Sequence, residues 1–275
     1  MSQVTSTIRV RSPRFAEGEA LPHPWWFDSV LLSHLTNGLN LLFPAGEQFF
    51  IRSVRRHLDQ VDDPALRERV RLFSGQEAQH GKAHERGFAL LEGQGFEVES
   101  FLAWYRWLGY DVIEPLAPSM LRLAVTVALE HFTATMAEDA LARTFLDDAH
   151  PAMRDLLRWH AAEEIEHKAV AFEVFEAAGG TYAMRVAGLV VATLTLLMFW
   201  TAATRHLIRQ DPLATRARLR AERRAMQDRG QSFDFLHRAI LSYLHPRFHP
   251  DQQDNRSLAD RWLRANLAAA AGAPA

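Results

Sequence analysis

Two Glu-x-x-His sequences constrain the fold of this chain more than any other feature. They run from Glu77 to His80 and from Glu164 to His167, each within a long segment of helical periodicity. Residues three apart on a helix share a face, so each carboxylate and imidazole can point at one small volume. One such pair is weak evidence, because helices are rich in glutamate. Two pairs on separate helices predict a shared metal site.

The helical pattern divides the chain into four long segments. They cover about 29–57, 62–92, 120–146 and 151–178. Pro44 is expected to kink or divide the first of them. Short turns join the first two and the last two segments, whereas 96–117 forms a long crossover, and no alternating strand pattern is present. The sequence therefore predicts an all-α fold, a ferritin-like four-helix bundle with a long crossover between helices two and three.

The segments outside the bundle differ in composition. Residues 1–24 are polar and proline-containing, and we expect an irregular lead-in there. Residues 25–210 hold the bundle and an additional apolar helix, and 211–275 form a charged helical tail that is partly flexible. The lead-in lacks the apolar run of a secretory signal, which favours a cytoplasmic protein.

Two glutamates in the remaining helices complete the ligand pattern. Glu47 and Glu130 each stand alone in an apolar stretch. A buried, unpaired carboxylate costs several kcal/mol, so it needs a compensating partner such as a metal ion. Either residue alone favours an ordinary surface acid. Their occurrence in the two helices where a dimetal bundle needs one glutamate each predicts that both are ligands.

Helix four carries a third candidate on the same stripe. His160, Glu164 and His167 are spaced by four and three and fall within an arc of about 60°. Glu163 lies at the edge of that arc and could be an alternative ligand or an acid that orients one. Glu166 and Lys168 are expected to face solvent.

Two further histidines have less certain roles. His84 shares the stripe of Glu77 and His80, and could be a ligand, a partner that orients a ligand, or a core histidine. His131 is rotated by about 100° from Glu130, which favours packing or hydrogen bonding over ligation.

The predicted ligand set suits two metal ions. It consists of Glu47, Glu77, His80, Glu130, His160, Glu164 and His167. Its four carboxylates balance the charge of two divalent ions. The chain has no cysteine, so the donors are oxygen and imidazole nitrogen, which suit iron first, with manganese or zinc possible.

The same residues resemble the ferritin-like superfamily of di-iron carboxylate proteins. More closely, the chain is similar over about 25–210 to a bacterial family called predicted metal-dependent hydrolases. The stretches that carry the likeness are 43–50, 73–80 with His84, 130–133 and 159–168. The spacing of His160, Glu164 and His167 also resembles the arylamine N-oxygenase branch. That resemblance implies one metal on Glu47, Glu77 and His80 and the other on the remaining four ligands.

Three functions fit such a centre. The favoured one is an oxidase or oxygenase, in which two Fe(II) ions activate O₂, as co-substrate, against a small organic substrate. The alternative is a hydrolase that uses two metals to activate water. The third is a non-enzymatic iron-binding protein. The formal net charge of −2 gives no reason to expect nucleic acid as a partner.

One apolar stretch remains, 186–204, which has no charged residue and is just long enough to span a bilayer. The arginine-rich tail that follows opposes spanning, because it would have to cross the membrane. We expect a buried or homodimer-forming helix first and a membrane-surface helix second. The second reading would make the protein peripheral on the inner membrane.

Overall fold

The computed structural model describes residues 8–13, 15, 21–26, 28–228 and 234–271. Within these ranges every regular element is helical, and extended backbone pairs at one isolated bridge between Trp26 and Ala149. The all-α prediction is therefore confirmed. Parts of the predicted lead-in (1–7, 14 and 16–20) and of the tail (229–233 and 272–275) lie outside the described residues.

The first predicted helix is divided in two. Helix α1 spans Val30–Asn40 and α2 spans Phe43–Arg55. Pro44 lies in the first turn of α2, where a missing backbone N–H leaves no helical hydrogen bond unmade. The division predicted at this proline is confirmed, and it places Glu47 one turn into α2.

Helix α3 and the crossover follow as the pattern predicts. Helix α3 spans Pro64–Gly93, and the Asp63 side chain caps it by accepting from the backbone N–H of Ala65. The crossover consists of α4 at Glu99–Arg106, a π-helical stretch at Trp107–Ile113 and the short turn α5 at Glu114–Leu116.

The last predicted bundle helix is also divided, which the sequence did not predict. Helix α6 spans Ser119–Ala142, α7 spans Pro151–His167 and α8 spans Val170–Ala177. The break follows His167 at Lys168, whose ammonium donates 2.8 Å to Asn255 Oδ1 and also to the Gln253 carbonyl. Lys168 is buried, so the prediction that it faces solvent is wrong.

The remaining helices pack against this framework. Helices α9, α10, α11 and α12 span Tyr182–Gln210, Arg216–Asp228, Asp234–Tyr243 and Arg256–Ala271. Helix α11 packs against α6, and α12 packs against α7. Helices α2, α3, α7 and α6 form a closed ring in which each packs against its two neighbours. The interior of this ring is where the predicted ligands face.

Helix α9 contains the apolar stretch and has two unlike faces. One face packs against α6 and α1, with Gly188 so close to Ala124 that a Cβ there would lie 2.5 Å from its carbonyl carbon. The other face exposes Val190, Leu194 and Met198. Among the described residues α9 is the one helix long and apolar enough to cross a membrane, and 28% of its most apolar window is buried. Contact of the exposed face with a second copy or a membrane surface stays a prediction.

The close approach at Gly188 can be tested by substitution. We expect Gly188→Val to lower the free energy of unfolding by about 1–3 kcal/mol, because its side chain would overlap the α6 backbone. This corresponds to a fall in Tm of roughly 2–4 °C per kcal/mol. The control is Gly87→Ala in α3, where a Cβ meets open space and helix propensity should raise stability by up to about 1 kcal/mol. An unchanged Tm for Gly188→Val would contradict the packing described.

Candidate metal centre

All seven predicted ligands face the interior of the α2–α3–α7–α6 ring. Helix α2 supplies Glu47, α3 supplies Glu77 and His80, α6 supplies Glu130, and α7 supplies the other three. None is more than 5% exposed. Their donor atoms form overlapping groups of three in which all atoms lie within 4.8 Å of one another. Four helices thus bring four carboxylates and three imidazoles into one buried volume.

Glu164 lies at the centre of the group. Its Oε1 atom is 2.8 Å from His160 Nε2 and 3.6 Å from both His80 Nδ1 and His167 Nε2. Three imidazole rings from two helices therefore surround one carboxylate oxygen. The spacing of these residues along α3 and α7 explains the convergence, since each pair lies on one helical stripe.

The second concentration of charge lies around His167. Its Nε2 atom is 3.0 Å from Glu77 Oε1 and 3.5 Å from Glu130 Oε2, yet it has no aligned hydrogen bond. Both oxygens of Glu47, Glu77 and Glu130 also lack a hydrogen-bond partner. Buried polar atoms are normally paired. So many unpaired acceptors facing one another indicate a cation-binding cavity.

The electrostatics of the four carboxylates agree with this interpretation. Burial raises the pKa of Glu47 and of Glu130 well above the usual range, and the neighbouring carboxylates raise both further. Burial also raises the pKa of Glu77, although His167 opposes it. Burial alone would raise the pKa of Glu164, but His167 and His160 outweigh it and hold that pKa well below its usual range. The protein thus compensates one carboxylate internally and leaves the others to bind protons or metal.

Each of the three central histidines is oriented through its second ring nitrogen. His80 Nε2 lies 3.1 Å from Glu163 Oε2, and His167 Nδ1 lies 2.9 Å from Gln76 Oε1. His160 Nδ1 lies 2.6 Å from His84 Nε2. Metal-binding histidines are typically held in this way, with the other nitrogen bound to a carboxylate, carbonyl or similar group.

Two of these orienting residues were candidates for other roles. The sequence left open whether Glu163 and His84 are ligands or partners of ligands, and the contacts to His80 and His160 favour the partner role for both. Burial lowers the pKa of His84 well below its usual range, so its ring is neutral. Phe43 packs against both His84 and His160, with ring centroids 4.6 and 4.7 Å away.

An arginine from the N-terminal segment ties the orienting groups together. Arg11 donates to Glu163 Oε1 at 2.9 Å and forms two bonds to Glu166, at 2.7 and 2.9 Å. Glu166 in turn accepts from the Gln76 amide at 2.8 Å. Arg11 therefore reaches His80 through Glu163, and it reaches His167 through Glu166 and Gln76.

This layer contains the residues that sequence reasoning missed. Glu166 is buried and hydrogen-bonded, so the prediction that it faces solvent is wrong. Its side chain points away from the ligand stripe, as expected, but Arg11 from the lead-in covers it. Trp159 also contributes, with its indole N–H donating 2.9 Å to Glu163 Oε1. No local pattern marks Arg11, because its partners lie about 150 residues away in sequence.

His131 lies outside the group. Its Nε2 is 3.0 Å from both the Ala239 carbonyl and Ser242 Oγ on α11, and its ring packs against Tyr243 and Phe248. Burial lowers its pKa to about 4. The ring therefore acts as a neutral packing and hydrogen-bonding group that anchors α11 to α6.

The residues present fit two divalent cations. Four carboxylates supply four negative charges, and three oriented imidazoles would supply nitrogen donors. Burial lowers the pKa of His167, but Glu164, Glu77 and Glu130 outweigh it and raise that pKa well above its usual range, so this ring would release its proton on binding metal. Oxygen and nitrogen donors without sulfur suit iron, manganese or zinc. The unpaired carboxylate oxygens would be satisfied by coordination, and the orienting hydrogen bonds would remain intact.

Without metal, the buried carboxyls should make stability fall as pH rises. Above about pH 7 an unfolded glutamate has lost its proton, whereas Glu47 and Glu130 retain theirs in the folded protein because their pKa values are raised. Each retained proton lowers the free energy of unfolding by about 1.4 kcal/mol per pH unit. His80 and His84 have lowered pKa values and are neutral in both states here, so they do not oppose this trend.

Bound metal should remove this trend, because it replaces the retained protons on the ligands. Melting chelated and metal-loaded protein at about pH 7 and about pH 8.5 checks both statements. We expect the Tm of the chelated protein to fall between the lower and the higher pH. The difference in Tm between the metal-loaded and the chelated protein should therefore widen. A Tm difference that is the same at both pH values would contradict the raised pKa values of Glu47 and Glu130.

Replacing Arg11 should weaken metal binding, although Arg11 contacts no predicted ligand. We expect Arg11→Met to lower metal affinity by about 10–100-fold, as loss of orienting groups does in other sites. Arg11→Lys should recover part of it. The control is Arg86→Met, because Arg86 also holds the N-terminal segment, by donating 3.3 Å to the Pro13 carbonyl. Isothermal titration with Zn²⁺ gives the affinities, and equal losses in both methionine variants would show that Arg11 acts only by tethering the segment.

Comparison with known proteins agrees with the chemistry of this centre. A family model described as a predicted metal-dependent hydrolase matches residues 9–254. No curated protein and no solved structure gives a match. The family match extends beyond the likeness at 25–210 and includes the segment that carries Arg11. Because it covers most of the chain, this protein belongs to the predicted metal-dependent hydrolase family.

Proposed function

We propose that this chain is a hydrolase that holds two divalent metal ions in the α2–α3–α7–α6 ring. The observation that carries the proposal is the set of unpaired carboxylate oxygens from Glu47, Glu77 and Glu130 that face His80 and His167 in the buried interior of the ring. The family description supports metal-dependent hydrolysis over the oxidative function that the sequence favoured.

On this proposal the ring is a ferritin-like four-helix bundle. Two helices supply one glutamate each, the other two supply Glu-x-x-His, and the long crossover 94–118 separates the two helix pairs. On this proposal Glu47, Glu77, Glu130 and Glu164 would hold the two ions together with His80, His160 and His167. His160 Nε2 lies 3.8 Å from Glu47 Oε1, and His167 Nε2 lies 3.5 Å from Glu130 Oε2. Glu164 Oε1 lies among all three rings, where it would help to hold the ions.

Metal ions in such a centre would lower the pKa of water and stabilise the oxyanion of a carbonyl or phosphoryl substrate. The protein's own contribution is to orient the imidazoles and to keep bulk water away from the reacting group. Tyr105 and Tyr110 lie beside Glu47 in an apolar cavity, with their hydroxyls 2.6 Å apart. Burial raises the pKa of both phenols, so they stay protonated, and Tyr105 also donates 3.3 Å to the Leu42 carbonyl.

An oxidative reaction on the same centre is the second candidate, and one observation favours it. The cavities that touch Glu47, His160 and Glu164 are lined mainly by aliphatic and aromatic side chains. Few donors are therefore available to a hydrolytic oxyanion, whereas oxidation of an aliphatic substrate by iron and O₂ would need none.

Turnover under nitrogen separates the two functions. We expect protein loaded with Zn²⁺ or Mn²⁺ to hydrolyse a member of an ester, amide and phosphoester panel at the same rate under nitrogen and in air. Chelation should abolish the activity and metal should restore it. Turnover only with Fe(II) and O₂ would overturn the hydrolase proposal in favour of the oxidative one.

Paired substitutions on α6 show whether the activity belongs to this centre. Glu130→Gln removes a carboxylate from the ring interior and should lower kcat by at least about tenfold, because a lost donor disturbs metal binding and charge balance. Glu138→Gln lies two turns further on, where its carboxylate accepts from Asn255 instead, and should leave kcat unchanged. Equal activity in both variants would place the activity elsewhere.

A further inference from the structure

A cavity of about 470 Å³ opens directly onto the proposed metal centre. His160 and Glu164 form part of its wall, and Leu39, Met136 and Leu157 from α1, α6 and α7 enclose it. Its size is that of a site for a small organic ligand. Because two predicted ligands line it, a molecule bound here would lie beside the metal ions.

The lining offers apolar contact and few hydrogen bonds. Trp26 and Trp200 present their rings to the cavity, while their indole N–H groups donate to the backbone carbonyls of Phe145 and Leu35. The charged pair on its wall, Arg143 and Asp139, is internally matched, with Arg143 Nε 3.2 Å from Asp139 Oδ1. A polar group buried among these side chains would lose its hydrogen bonds to water without replacement.

A neighbouring cavity adds to the apolar space beside the metal centre. A second apolar cavity of about 140 Å³ lies beside it and touches Glu47. Leu39, Phe43, Thr133 and Met136 line both cavities, so only these side chains separate them. The two together form an apolar path along the α2–α6–α7 side of the metal centre.

We propose that the 470 Å³ cavity binds a straight aliphatic chain of the substrate, with the polar reactive group placed at His160 and Glu164. The metal centre would pair the polar head at one end of the cavity, and the methylenes would fill the space between the apolar side chains. Asn40, whose buried Oδ1 has no hydrogen-bond partner, is a second polar group on this wall. The substrate class is then an aliphatic acyl compound. The reaction at the head of this substrate rests on the proposed function, whereas binding of its chain in the cavity does not.

Binding of straight-chain carboxylates to Zn²⁺-loaded protein tests the cavity. In titrations from butanoate to dodecanoate, affinity should rise by about fourfold per added methylene, the value expected for burial of one CH₂. It should level off once the chain fills the space. Affinity that does not depend on chain length would overturn the proposal.

A space-filling variant locates the chain. Ala140 lines the cavity, whereas Ala142, also on α6, is exposed and does not. Ala140→Leu should weaken binding of dodecanoate by about tenfold, leave butanoate unchanged and move the plateau to shorter chains. Ala142→Leu should match the unsubstituted protein in every titration. An identical chain-length profile in the two variants would place the binding site elsewhere.

The outcomes for binding and for reaction can be told apart. Protein that binds long chains in this cavity but hydrolyses no ester supports the chain site and overturns the hydrolase proposal. Protein that hydrolyses short esters but shows no gain with chain length supports the hydrolase and overturns the chain site.

Discussion

The burial of four carboxylates in one small volume constrains the rest of this structure. Each of these carboxylates, from Glu47, Glu77, Glu130 and Glu164, has an oxygen within 3.8 Å of a nitrogen of His160 or His167, and none is more than 3% exposed. Ionised carboxylates in such a place repel one another and lose their hydration. Protons or cations must therefore accompany them. The protein supplies internal compensation mainly around Glu164, and two divalent ions would complete it.

Such a centre needs rigid surroundings, and the structure provides them in two layers. The closed ring of helices fixes where each side chain begins. Beside the ligands, Glu163, His84 and Gln76 each contact the second nitrogen of one central imidazole. Arg11 links the hydrogen-bond networks of His80 and His167, because it donates to both Glu163 and Glu166. The irregular N-terminal segment is thus part of the centre, although it contributes no predicted ligand.

How much of this arrangement the sequence predicted depends on how far apart in sequence the interacting residues lie. Helix positions and the shared face of Glu77 and His80 follow from periodicity within a few residues, and the sequence predicted both. The break at Lys168 depends on contacts with Gln253 and Asn255, about 85 residues away in sequence. The bonds from Arg11 are longer in range still. A single sequence gives no signal for such pairs, so Glu166 was wrongly expected to face solvent.

The direct test of the central claim is to locate metal in crystals of the protein grown with Zn²⁺ or Mn²⁺, using anomalous scattering at the metal edge. The account predicts two anomalous peaks per chain, about 3.5–4 Å apart, between Glu47 and Glu77 on one side and Glu130 and His167 on the other. Peaks confined to surface histidines, with the carboxylate cluster empty at saturating metal, would contradict it.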